Sequence, residues 1–184
     1  MKSLNKVVIG MAALVLLTGC GGTKVSKDKF QEKVDALEAH EYSEATVKYD
    51  VNLTGTLEEK GKGEVKFTKK DGVWTTDDTK HASLSFYLTS IKGQKMQDDS
   101  EKDGIKITYT YYVNPMKIVS TQKGENKDGD NYVKYNNSST IVMDKYGYPT
   151  SISSKVDSEA KITELGITVS TSTKGTEKYT ISYK

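Results

Sequence analysis

An α+β domain, mainly antiparallel β, with a meandering sheet that curls over one or two helices, is the fold class this sequence predicts. Three observations carry it. Apolar residues recur with period two through most of residues 44–183, two shorter stretches carry apolar residues at helical spacing, and turn-forming pairs such as Asp71-Gly72 join neighbouring strand-like runs. No fixed-period repeat points to a solenoid.

The first element is a helix over residues 26–40. Phe30, Val34 and Leu37 fall at i, i+4 and i+7 and form one narrow stripe, with Lys27, Glu32, Lys33 and Asp35 turned away from it. Ser26 is placed to cap its N-terminus, and Asp28 in the first turn complements the helix dipole. From Glu44 onward the period changes to two. Val47, Tyr49, Val51 and Leu53 alternate with Lys48, Asp50, Asn52 and Thr54, which describes a strand with one buried face. Residues 64–69 and 73–76 flank Asp71-Gly72, a type I′ hairpin signal, and a two-residue loop there pairs Lys69 with Trp74. Alternation then sets Trp74 on the face of Phe67 and Val65.

Residues 78–92 break the alternation, and Leu84, Tyr87, Leu88 and Ile91 predict a second helix with Gly93 as its stop. Residues 94–103 are polar and read as a loop. Ile105, Ile107, Tyr109 and Tyr111 then alternate with Lys106, Thr108 and Thr110 as another strand. Further strands are predicted at 116–122, 131–135, 140–145, 150–156, 167–173 and 176–183, separated at Asp128-Gly129, Tyr146-Gly147 and Lys174-Gly175.

Ahead of this domain lie Lys2 and Lys6, an apolar run from Val7 to Leu17, and the tetrapeptide Leu17-Thr18-Gly19-Cys20. About ten apolar residues are too few for a hydrocarbon core that takes roughly twenty as a helix, so the run reads as a secretory signal. The tetrapeptide resembles the lipobox of bacterial lipoproteins. That resemblance implies a diacylglyceryl group on the Cys20 thiol and cleavage just before it, leaving residues 1–19 as signal peptide, 20–25 as flexible tether and 26–184 as one domain. Two acyl chains make a stable anchor where one is marginal. Localisation follows: the extracytoplasmic face of a cell membrane. Cys20 is the only cysteine, so no internal disulfide is available to the exported domain.

Charge excludes a second class of partner. The chain has 27 basic and 25 acidic residues, and setting aside Lys2 and Lys6 leaves the two signs balanced, which gives no support for nucleic-acid binding or for a polybasic membrane contact. Every basic residue is lysine, so no guanidinium fork is available for bidentate recognition of phosphate or carboxylate.

Catalytic chemistry finds no motif. His40 and His81 have no ligand-spaced partners, and the Ser-x-x-Lys spacings at Ser26/Lys29, Ser120/Lys123 and Ser158/Lys161 lack companion motifs. Asp99, Glu101, Asp103 and Gly104 imitate half of a calcium loop, but Thr110 stands where the bidentate glutamate belongs. The expectation is a non-enzymatic protein with no cofactor or metal beyond the lipid on Cys20.

The tethered helix, the long meander and the late Asp144-Lys145-Tyr146-Gly147-Tyr148-Pro149 hairpin resemble small exported lipoproteins of Gram-positive type, whose folds are similar to the half-barrel of lipoprotein carriers and lipid-binding lipoproteins. The resemblance implies a concave apolar face for acyl chains. Twelve tyrosines against three phenylalanines suit a face that is half apolar and half hydrogen-bonding, with Tyr49, Tyr109, Tyr111, Tyr179 and Tyr183 on inward positions. Phe67, Trp74, Tyr109 and Tyr111 are the residues expected to line a groove for a lipid or another hydrophobic small molecule. A second reading stays open, in which the anchored sheet is an interaction module that touches another envelope protein or a host protein.

Overall fold

A computed structural model describes residues 22–164 and 166–184; residues 1–19, expected as a signal peptide, and Cys20 lie outside the described residues. The strands are β1 (Thr23–Val25), β2 (Glu44–Gly55), β3 (Glu59–Lys70), β4 (Val73–Thr75), β5 (Ser100–Lys102), β6 (Ile105–Val113), β7 (Lys117–Asp128), β8 (Asn131–Met143), β9 (Pro149–Glu164) and β10 (Ile167–Tyr183). The helix α1 (Lys27–Asp35) follows β1, and a 3₁₀ segment (Thr79–Leu88) follows β4. All strand pairs are antiparallel, in the open order β1-β6-β7-β8-β9-β10-β2-β3-β4 with β5 beside β6. Three-residue strands close both ends of this path, which leaves little free edge for another chain to pair with.

The order places β4 and β6 far apart in the sheet, so the chain between them must cross its face. That crossing and α1 together cover one end of the inner face. Beneath the 3₁₀ segment, Val47, Val65, Phe67, Ile152, Ile181 and Leu88 form one core. Against α1, Phe30, Val34, Leu37, Tyr111 and Met143 form a second. Ile141 packs against both. Among the described residues every member of the two cores lies between Val25 and Tyr183.

Several predicted elements take a different form. The helix ends at Asp35 and not at residue 40, because His40 is drawn out to stack on Tyr146, with ring centroids 4.0 Å apart. Leu37 still joins the core from beyond the helix. Ser26 caps as expected, accepting from the Lys29 amide at 3.3 Å. The second predicted helix is a 3₁₀ segment kinked at His81 that stops at Leu88. Tertiary bonds replace its last turn: Trp74 Nε1 donates to the Leu88 carbonyl at 3.0 Å, and the Ile91 amide donates to the Gly147 carbonyl. The predicted loop contains β5, which turns into β6 through Asp103 and Gly104, both at positive φ as a type I′ turn requires.

The runs predicted as 131–135 and 140–145 are one strand, as are 167–173 and 176–183. Lys174-Gly175 is thus no turn. Gly175 sits mid-strand at φ 152°, where a Cβ would lie 2.0 Å from the Asn52 carbonyl oxygen. The Lys69↔Trp74 pairing holds, and Tyr49, Tyr109, Tyr111, Tyr179 and Tyr183 all pack on the inner face.

The outer face has a different chemistry. Lys48 on β2, Lys60, Lys62 and Lys66 on β3, Lys106 on β6 and Lys117, Lys123 and Lys127 on β7 share it by register. Lys134, Lys155, Lys161, Lys174 and Lys178 continue it across β8 to β10. Serine and threonine fill much of the space between them. Among the described strand residues the carboxylates on this face are Glu44, Asp50, Glu64, Glu101, Glu125, Asp157 and Glu159. Glu101 stands opposite Lys106 by register, and the others are paired, Glu44 with Lys184, Asp50 with Lys62, Glu64 with Lys48, Glu125 with Lys127, and Asp157 and Glu159 with Lys174. The charge balance of the whole chain therefore conceals a basic sheet face opposite a more acidic helical side.

Candidate functional site

The four groove residues expected from sequence all point inward, yet the fold divides them. Phe67 and Trp74 belong to the core beneath the 3₁₀ segment, and Tyr109 and Tyr111 to the core against α1. Phe67 is 2% exposed and Tyr111 4%. The Tyr111 ring lies 5.0 Å from that of Phe30 and its hydroxyl donates to the Gln97 carbonyl at 2.6 Å, while burial pushes its pKa up to about 12. Trp74 is half-buried, with its N–H already used. Tyr109 is half-buried and stacks beside Tyr111, their centroids 6.4 Å apart. Phe67 and Tyr111 therefore fill the core, and the uncovered part of the inner face starts farther along the strands.

Register defines that surface row by row. The covered row is Tyr111, Ile118, Ile141, Ile152, Tyr179 and Tyr49 from β6 across to β2. Next comes Tyr109, Ser120, Ser139, Ser154, Glu177 and Val51, where serine replaces isoleucine on three strands. Ser154 Oγ is buried here without a hydrogen-bond partner. Beyond it Asn137 is buried but satisfied: its Nδ2 donates to Gln122 Oε1 at 3.3 Å and its Oδ1 accepts the Asp157 amide at 2.8 Å. Farther out the face becomes apolar again, with Val133 opposite Ala160 and Ile162 opposite Val169. Nothing described covers this end. Val169 is 57% and Ile167 69% exposed. A shallow recess of about 540 Å³ at this end belongs largely to the opposite face, where Tyr132, Glu159, Ser170 and Ser172 line it.

Glu177 is the charged group of the polar row. Burial raises its carboxyl above the ordinary glutamate range, and Tyr179 Oη lies 3.4 Å from it. Between the ordinary and the raised value the unfolded chain has released a proton that the folded chain keeps. Stability therefore falls as pH rises through that window, and the deficit persists above it. Glu177→Gln is expected to melt at higher temperature than the parent at pH 7, with the gap narrowing in acid where both side chains are neutral. Thermal scans at the two pH values check this, and a lower midpoint at pH 7 would contradict it.

The other sequence candidates are structural in their contacts. Ser120 and Ser158 face inward while Lys123 and Lys161 face outward, because residues three apart on a strand point to opposite sides. Ser26 is spent on its helix cap. His81 Nδ1 lies 2.8 Å from Asp78 Oδ2 at the start of the 3₁₀ segment. Asp99 Oδ1 accepts the Tyr109 amide at 2.7 Å. Among the described residues no group of three or more His, Cys, Asp or Glu side chains could hold a metal ion.

Sequence reasoning missed an aromatic clamp at the covered end. Asp144 accepts from Tyr42 Oη at 2.8 Å and from the Tyr146 and Tyr148 amides at 2.9 Å. Tyr42 stacks on Tyr183, and Tyr148 Oη donates to the His40 carbonyl. Burial and the bond to Asp144 push the Tyr42 pKa up to about 12. The only sequence signal was the tyrosine-rich β8–β9 turn. The clamp ties the exit of α1 to the last strand.

The chain matches no protein-family model, no curated protein and no solved structure.

Proposed function

We propose that this is a membrane-anchored extracytoplasmic lipoprotein, non-enzymatic, which holds a lipid or similar hydrophobic ligand along the open end of its inner sheet face. The observation that carries the reading is the uncovered apolar floor at Val133, Ala160, Ile162, Val169 and Ile167, bounded by a polar row. An exposed apolar stretch of a sheet rimmed by polar groups is the surface chemistry of a binding site. The sheet is open in its strand order, and a half-barrel curvature is part of this proposal. Gly124 and Gly175 at positive φ, and the Asn137 side chain that takes the Asp157 amide in place of a backbone partner, are features that allow a sheet to bend. This reading keeps the expected ligand class and moves the lining away from Phe67, Trp74 and Tyr111. Attachment rests on the lipobox at Cys20.

A two-part experiment tests it. Labelled fatty acid fed to the expressing cells should mark the parent chain and leave Cys20→Ala unmarked. Residues 22–184 should bind a fluorescent fatty acid, and Val133→Asp with Val169→Asp should abolish binding while Trp74→Phe leaves it intact. Binding that survives the aspartates would sink the groove. The interaction-module reading draws on Phe86, which stands 74% exposed on the 3₁₀ segment. A reproducible crosslinked protein neighbour in intact cells, with residues 22–184 empty of lipid, would select it.

A further inference from the structure

The lysines of the outer face are arranged for a surface and not for one another. Lys106 and Lys123 stand directly opposite on β6 and β7, a like-charge pair that the single carboxylate of Glu101, opposite Lys106 on β5, balances only in part. Lys155 follows one row on, in register with Ser138 and Thr176, and Lys178 another row beyond, opposite Ser153 and Asp50. Among the described residues none of these four has a carboxylate within 4.0 Å, and the acids of the face other than Glu101 are engaged with other lysines. The hydroxyls between them are further hydrogen-bond donors. Position adds to charge. The chain enters the sheet at β1, where Lys24 pairs with Tyr112 on this same face, and Cys20 precedes Thr23 by three residues, a reach of about 10 Å. A lipid on Cys20 would hold this edge against the bilayer.

We propose that the outer face of the sheet docks on the anionic phospholipid surface of the membrane, so that the domain lies on the bilayer with its inner face turned away. Lysine without arginine suits this role, since point charges on flexible stems meet a diffuse layer of phosphates without demanding one geometry. The proposal rests in part on the Cys20 anchor, and its test is therefore run without that anchor.

Residues 22–184 are sedimented with phosphatidylcholine vesicles and with vesicles that also contain phosphatidylglycerol. Binding is expected to the anionic vesicles alone and to vanish at about 1 M salt, where the screening length falls to roughly 3 Å. Each lysine near an anionic surface is worth about fivefold in partitioning. The triple variant Lys106→Gln, Lys123→Gln, Lys155→Gln should accordingly bind about a hundredfold more weakly, whereas Lys29→Gln, Lys33→Gln, Lys95→Gln on the opposite side should bind like the parent. Circular dichroism confirms that both are folded. Equal binding to neutral vesicles, equal loss in the two triple variants, or capture by soluble polyphosphate with none by vesicles would overturn the proposal. Loss of fatty-acid label at Cys20 is a separate readout, so failure of the anchor and failure of the face are told apart.

Discussion

Phe67→Ala is expected to destabilise the domain by about 3–5 kcal/mol, the usual cost of emptying an aromatic site in a core that cannot collapse around the loss. Phe67 is held from several directions. Val65 precedes it on the same face, Ala45 lies opposite on β2, and the 3₁₀ segment closes over it with Leu88, which is fully buried. That segment is itself held in place by the Trp74 bond to the Leu88 carbonyl. Chemical denaturation with an unchanged m-value would report the loss cleanly. At about 2–4 °C per kcal/mol for a domain of this size, the melting midpoint should drop by roughly 10 °C. Fatty-acid binding measured below the new midpoint should not change, because Phe67 lies under the covered end and the ligand surface does not. A cost under about 1 kcal/mol with binding lost would return the groove to Phe67.

How far such a division could be read from sequence depends on contrast between the two faces of a strand. In β2, Val47, Tyr49, Val51 and Leu53 alternate with charged or amide residues, so the strand and its inward face were both legible. Phe67, Trp74, Tyr109 and Tyr111 were assigned to the correct face for the same reason. In β8 and β9 the contrast disappears, since Ser138 and Ser139, or Ser153 and Ser154, present the same side chain to opposite faces. The stretch 136–139 in β8 accordingly reads as a break, although it pairs throughout with β7. The division of the inner face into a covered and an open end was not legible at all. It is set by the crossing from β4 to β5, whose path follows from a strand order that no local pattern encodes. The basic outer face was hidden for a related reason: overall charge is balanced, and only register shows on which side the lysines stand.

Glycine was the most misleading signal, and Gly175→Ala should show why. Read locally, Lys174-Gly175 marks a turn; in the sheet, Gly175 lies between Leu53 and Val156 in mid-strand. A methyl group there would lie 2.0 Å from the Asn52 carbonyl oxygen and 2.9 Å from Leu53 Cα, both backbone atoms that are held in the β2 pairing. The substitution is expected to cost about 3–5 kcal/mol, in the range reserved for overpacking combined with a disfavoured backbone. Gly129→Ala supplies the comparison. It too has positive φ, 59°, but nothing lies within 4 Å of its Cβ position, so only the conformational term of about 1–2 kcal/mol applies. The difference between the two variants, measured by denaturation, isolates the close approach of β10 to β2. Gly55 and Gly124 make the same kind of approach, to the Ser172 and Gly104 carbonyl oxygens. If this belt of glycines sets the shape of the open end, Gly175→Ala should also weaken fatty-acid binding at temperatures where it is still folded, and Gly129→Ala should not. Equal stability in the two variants would mean that β2 yields freely at Asn52, and the belt could not then hold the surface in one shape.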